Sequence, residues 1–244
     1  MSRFIAALPM YDWPEVRAEV DAQWARLRHA LSRRGIDAPE ALTRPDASVE
    51  AGLAALWRHP ALLFAQTCWG PMGQGLADHV QVIGQPDYSG YEGGERALYS
   101  SALVMRGKTS VRAPPDGRPL IPIDLLRGKR LAFNSADSMS GILALTSDLE
   151  AVGEGIDIFS KRIASGGHRA SVRAVAEGRA DVAAVDCRSW AMARRFEPAA
   201  RELAVVGWTG RRKGLPYICA RAMPLQTVAA LREAATEAGM LAPG

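Results

Sequence analysis

The stretch NSADSMSG, Asn134–Gly141, holds three serines, an asparagine and an aspartate between the apolar runs RLAF and ILALTSDL. Such a polar knot between a strand and a helix has two uses. Ser138 or Ser140 can cap a helix that begins near Gly141. The same turn can hold an anion, because the first N–H groups of a helix lack partners and carry the positive end of its dipole. Serine hydroxyls added there suit a phosphate, phosphonate, sulfonate or carboxylate. Further on, SGGHRAS places His168 at the start of another helix, after two glycines that permit a tight turn. The dipole lowers the pKa of an imidazole in that place and leaves it an N–H to donate to a ligand oxygen. A loop histidine that only caps or stacks fits the same letters. Asp186 ends the apolar run ADVAAV. A carboxylate at the mouth of a buried strand must be solvated, paired or bound, and capping the helix CRSWAMARRF would satisfy it equally.

The three cysteines, Cys68, Cys187 and Cys219, are far apart and make neither C-x-x-C nor a zinc spacing. They read as reduced thiols, and neither a metal nor a cofactor is expected. A nucleophilic role for Cys68 would need a basic partner brought to it by the fold.

The elements that position these residues alternate. RFIAALPM is a strand, and PEVRAEVDAQWARLRHALSRRG is a helix with Pro14 in its first turn and Val16, Val20, Trp24, Leu27 and Leu31 on one face. SVEAGLAALWRHP is a short helix capped by Ser48. ALLFAQT, VQVIGQP and RALYSSALVMR are strands. The proline-rich RAPPDGRPLIP interrupts, and the alternation then resumes. Strand RLAFN, helix SGILALTSDLEAVG, strand IDIFSKRIA, helix HRASVRAVAEG, strand ADVAAVD and helix RSWAMARRF follow. Strands LAVVGWT and LPYICAR and helix LQTVAALREAATEAG close the chain. The class is α/β, with mostly parallel sheets. The single interruption, near Tyr99, predicts two lobes: residues 1–103 with 208–244, and residues 104–207. The polar knots fall at the carboxyl ends of strands, so a ligand cleft between the lobes is expected.

With 244 residues, 48% of them hydrophobic and 23% charged, the chain can bury a core of one or two domains. The net charge of +4 is scattered. RHALSRR and GRRKG are too short for a nucleic-acid arm, so a small anionic ligand fits the balance and a nucleic-acid partner is not expected. No run approaches the roughly 18 apolar residues of a transmembrane helix. MSRFIAALPMYDWPEV lacks a secretory h-region and cleavage site. As the sequence stands the expectation is cytoplasmic, and periplasmic if a leader was removed.

LAFNSADSMSGILAL followed by SGGHRASVRAVAEGRADVAAVD resembles the second lobe of the phosphate, phosphite and phosphonate substrate-binding proteins of ABC transporters. ALYSSALVMR is similar to that family's Tyr-x-Ser crossing strand, TCWGP to its Gly-Pro loop, and GLPYICARAMP to its late proline-aromatic strand. The resemblance runs from Phe4 to the end of the chain. It implies a two-lobed type II periplasmic-binding-protein fold and a non-catalytic binding protein for a small anionic solute, either a component of ABC transport with a permease as partner or a solute sensor. Ser138, Met139 and Ser140 would hold the ligand's anionic head with His168, and Met139 stands where the family often has threonine. Asp186 matches a position that contacts the far side of the ligand. Tyr11, Trp69 and Tyr99 match cleft positions of aromatic or polar character. With His168 and Asp186 on opposite sides of one cleft, the ligand would be extended, its donor end at Asp186. Cytoplasmic chorismate-processing enzymes and a pyrimidine-forming thiamine enzyme resemble the same architecture. They supply the alternative reading, with His168 or Asp186 as acid or base.

Overall fold

The computed structural model describes residues 2–44 and 50–243, so Ser48 and its expected cap lie outside the described residues. The chain divides into two compact units, Met1–Asp87 with Gly214–Gly244, and Tyr88–Lys213.

The first unit opens with strand β1 (Ile5–Ala7) and helix α1 (Arg17–Ser32), which buries Val20, Trp24, Leu27 and Leu31 along one face. Helix α2 (Glu50–Trp57), the wholly buried strand β2 (Leu62–Gln66), helix α3 (Trp69–Gly73) and strand β3 (Val80–Gly84) follow. The chain then builds the whole second unit. Strands β4 (Gly94–Glu95), β5 (Leu98–Tyr99) and β6 (Ser101–Arg106) lead to helix α4 (Ile123–Leu126). After these come β7 (Arg130–Phe133), α5 (Ala144–Glu150), β8 (Lys161–Ala164), α6 (His168–Ala176), β9 (Val182–Asp186), α7 (Cys187–Phe196), β10 (Leu203–Trp208) and β11 (Arg212–Lys213). Strand β12 (Tyr217–Ala220) and helix α8 (Leu225–Glu237) complete the first unit.

The first unit's sheet runs β1-β2-β12-β3, and the second unit's main sheet runs β10-β6-β9-β7-β8. A small sheet, β11-β5-β4, belongs to the second unit. The sheets are mixed rather than mostly parallel. β7 pairs in parallel with β8 and β9, whereas β6 runs antiparallel to β9 and β10, and β12 antiparallel to β2 and β3. Parallel neighbours need a crossover connection. β6 and β12 instead enter their sheets as the chain arrives from outside the local strand–helix alternation. The unit borders also differ from residues 103 and 207. Those positions fall inside β6 and β10, which pair from Arg106↔Leu203 to Ala102↔Trp208, so both strands belong to one sheet.

The core of the second unit packs Leu103 and Leu131 with Val182 and Ala184 of the sheet against Leu126, Leu145 and Leu149 of α4 and α5. IDIFSKRIA is not one strand. Ile156–Ile158 forms a 3-10 turn, Ile158 and Phe159 join that core, and pairing starts only at Lys161. An apolar run can thus be core-seeking loop rather than strand.

Candidate functional site

Side chains alternate across a strand. In β9 the row Val182, Ala184 faces the core, and Asp186 is its next member. In β6 the row Met105, Leu103 ends in Ser101, which lies directly opposite Asp186 in the register. The face therefore turns polar where both rows reach the carboxyl end of β9. Directly opposed residues of an antiparallel pair hold their Cβ atoms about 5 Å apart.

Asp186 is 1% exposed. Its Oδ1 accepts the Arg188 N–H at 3.1 Å and the Ser189 N–H at 3.0 Å, which caps α7. Its Oδ2 stands 3.3 Å from His168 Nε2. The two residues are therefore neighbours and not opposite walls, because α6 starts beside the end of the strand that Asp186 terminates. That corrects the expectation of an extended ligand reaching from His168 to Asp186.

His168 Nε2 is also 2.8 Å from Ser140 Oγ. Ser140 and Ser138 are each only 3% exposed, so neither is a spare solvated hydroxyl. Ser138 Oγ accepts the Gly141 N–H at 3.0 Å and lies 3.5 Å from Ser140 Oγ. The Gly141 N–H is thus spent on its own cap rather than turned outward. The helix enters through a wide turn, Met139–Leu143, in which the Ser138 carbonyl accepts from both Ile142 and Leu143 before α5 proper begins. A Cβ at Gly141 would overlap Asn134 Oδ1 and stand 3.1 Å from Ser138 Oγ, so a larger residue there must displace the Asn134 side chain.

The loops after β7 and β8 are tied together. Ser165 and Gly166 donate their N–H groups to the carbonyls of Phe133 and Asn134 at 2.7 and 2.9 Å. Ser165 Oγ donates to or shares contacts with the Phe133 carbonyl at 3.0 Å and Ser171 Oγ at 2.7 Å. Gly166 takes φ +86°, the left-handed backbone that lets this loop turn into α6. These ties hold the serine turn and the His168 helix start in one register.

Burial lowers the His168 pKa, against the Asp186 carboxylate and the Ala184 carbonyl, which both favour the proton. Three buried polar atoms in this part of the unit make no hydrogen bond: Ser101 Oγ, Asn134 Oδ1 and His168 Nδ1. Buried polar groups are paired as a rule, so such a group calls for a ligand, water or strain to account for it. Ser101, the serine of the Tyr-x-Ser pattern, and Asn134 are not among the site residues expected from the sequence. Asn134 opens the serine knot and Ser101 lies in ALYSSALVMR, but their positions beside the site follow only from the fold.

Met139 is half-buried between the two serines. Tyr99 is buried in the small sheet and stacks on Tyr88, with ring centroids 5.4 Å apart. Tyr11 and Trp69 belong to the first unit, Tyr11 buried and Trp69 half-buried with its indole N–H donated to the Gly214 carbonyl at 2.7 Å.

The Ser140–His168–Asp186 contact is not a nucleophilic relay. A relay needs serine on one ring nitrogen and the carboxylate on the other. Here both oxygens approach Nε2. Cys187 and Cys219 are buried, and burial pushes the Cys219 thiol up to about 11 and that of Cys187 higher still, away from the reactive thiolate. Among the described residues no group of three or more His, Cys, Asp or Glu side chains could hold a metal ion. No helix among them is long and apolar enough to cross a membrane.

Several solved structures share the fold. PhnD1 from Prochlorococcus marinus, solved in complex with methylphosphonate, is 17% identical with a TM-score of 0.67, over 95% of this chain and 83% of that one. A binding-protein component of an ABC phosphonate transporter from Pseudomonas aeruginosa, PA3383, is 15% identical with a TM-score of 0.66, over 96% and 74%. An ancestral arginine-binding protein solved with arginine is 13% identical with a TM-score of 0.59, over 97% and 92%. The architecture is the two-lobed α/β fold of type II periplasmic binding proteins. No curated protein matches the sequence significantly. Residues 74–242 match the family described as ABC transporter, phosphonate, periplasmic substrate-binding protein, whose members bind substrates rather than transform them. The chain belongs to that family.

Proposed function

We propose that this substrate-binding protein captures a small organic oxyanion at Ser138, Ser140 and His168, and delivers it to an ABC permease from the periplasm. The observation that carries the site is the contact of a buried Ser140 hydroxyl with His168 Nε2 at 2.8 Å, beside the capped start of a helix. With the proton on Nε2, the ring donates to Ser140 Oγ, which leaves the serine O–H for a ligand oxygen. Ser138 Oγ, already accepting from Gly141, has its own O–H to give. The methylphosphonate bound by PhnD1 makes a phosphonate head the first ligand to try. Tyr99 and Met139 from the second unit, and Tyr11 and Trp69 from the first, are the further contacts proposed. Trp69 has spent its N–H on Gly214, so its ring face is what it offers.

Loss of one hydrogen bond to a charged group costs about 1.5–3 kcal/mol. Ser140→Ala should therefore weaken methylphosphonate binding roughly 10- to 150-fold by calorimetry. Unchanged affinity would reject this site.

A further inference from the structure

His168 is held among acceptors. Asp186 Oδ2 and Ser140 Oγ lie 3.3 and 2.8 Å from Nε2, the Ala184 carbonyl faces the ring, and Nδ1 is buried without a hydrogen bond. A carboxylate accepts only, so Nε2 carries the hydrogen of the neutral ring. A second proton can then go only to Nδ1. The imidazole side chain is 12% exposed and that of Asp186 2%. An anion brought to the serine turn adds negative charge beside this carboxylate, in a place where water screens little.

The other charged groups nearby are already engaged. Arg169 and Arg173 both place Nε 2.8 Å from Glu197 Oε2, where α6 meets the end of α7. The Arg188 guanidinium on α7 lies over the Tyr91 ring at 5.9 Å. From the loop after β7, Asp137 accepts from Ser135 Oγ at 2.6 Å. At the far end of β7, Arg130 pairs with Asp181 at 2.7 Å. His168 is the group in this set that can change charge near neutral pH.

We propose that anion capture at Ser138 and Ser140 is coupled to uptake of one proton from solvent, which goes to His168 Nδ1. The imidazolium then stands between the bound anion and Asp186 and balances the carboxylate. Binding is tighter on the acid side of neutrality, and the site favours heads that gain most from an adjacent cation. This inference rests on the anion site proposed above. It competes with one other arrangement, in which the ligand brings the proton as its own O–H and donates it to Asp186.

Calorimetry separates the two. Sulfate carries no proton near neutral pH, whereas methylphosphonate titrates there. Each is titrated into wild type and His168→Gln, in two buffers of different protonation enthalpy, between about pH 6 and about pH 8. On wild type, sulfate should draw up to about one proton, and its affinity should fall by up to about tenfold per pH unit. His168→Gln keeps an N–H donor but cannot titrate. It should bind sulfate with no proton uptake and with an affinity independent of pH. If only methylphosphonate binds, wild type should take up about one proton more than the variant. Sulfate binding to wild type without proton uptake overturns the proposal, and so does equal proton exchange by wild type and His168→Gln with either anion. If neither anion binds wild type, the anion site itself is wrong. Asp186→Asn, which keeps an acceptor for the α7 cap, gives the same readout by removing the counter-charge and should shrink the uptake.

Discussion

The entry to α5 at Ser138 and the start of α7 at Asp186 follow two adjacent strands of one sheet, β7 and β9, yet their cap oxygens are used differently. Ser138 offers one neutral oxygen, which takes one N–H. Asp186 offers a charged pair: Oδ1 takes two N–H groups, and Oδ2 is left to face His168. The start of α7 thus has the protein's own carboxylate on its positive end. The turn into α5 has only hydroxyls there. Two helix starts that look alike in sequence differ in whether their positive end is already matched, and the one without a built-in charge is the one suited to an external anion.

The comparison breaks most sharply at Gly141. Gly141→Ala drives a methyl group into Asn134 Oδ1 and crowds Ser138 Oγ, so the Asn134 side chain has to move and the serine cap with it. Overpacking of this kind costs about 1–3 kcal/mol. Chemical denaturation should show that loss, together with loss of methylphosphonate binding. A variant of normal stability and affinity would mean the tight approach is unimportant.

The caps themselves come next. Asp186→Ala removes an acceptor shared by two backbone N–H groups in a buried place, and hydrogen bonds to a charged group are worth about 1.5–3 kcal/mol. Ser138→Ala removes a single neutral cap, typically worth about 1 kcal/mol. Midpoints of urea unfolding should keep that order, and a reversed order would show that the hydroxyl carries more of the fold than the carboxylate.

The smallest effect is the pH dependence of ligand-free stability. Burial lowers the His168 pKa, so the unfolded chain binds this proton more readily than the folded one. Stability from this source is therefore present above the ordinary histidine value of about 6.5 and falls as the pH drops below it, down to the lowered folded pKa. Asp181, held down to about 2 by Arg130, loses its contribution only at much lower pH, so the two windows separate. His168→Gln should flatten the slope just below about pH 6.5. An equal slope in both proteins would show that His168 titrates as freely folded as unfolded.

Much of this arrangement is legible in the sequence. SGGHRAS placed a helix start at His168, and α6 begins there; ADVAAVD gave a buried strand ended by Asp186, as β9 is. Local chemistry decides such features, since two glycines and a strand-ending carboxylate act within a few residues. What escaped depends on partners distant in sequence. Ser101 matters because β6 sets it against Asp186, and Asn134 because its side chain rests on Gly141. The closeness of His168 and Asp186 escaped for the same reason, as it follows from how α6 lies beside β9. The run IDIF has the letters of a strand but is not one, because Ile158 and Phe159 serve the core from a turn, where hydrophobicity carries no period.

The strand order of the first unit has a consequence for synthesis. β12 lies between β2 and β3, yet it is made after the entire second unit. A growing chain that has passed Asp87 therefore carries β2 and β3 with edges that have no neighbour yet. The second unit, one continuous stretch, has all its strands once Lys213 is added. Domains made on the ribosome generally mature from the N-terminus onward. Here the order is inverted: the part begun first is finished last, and its open edges are exposed to wrong pairing until β12 arrives.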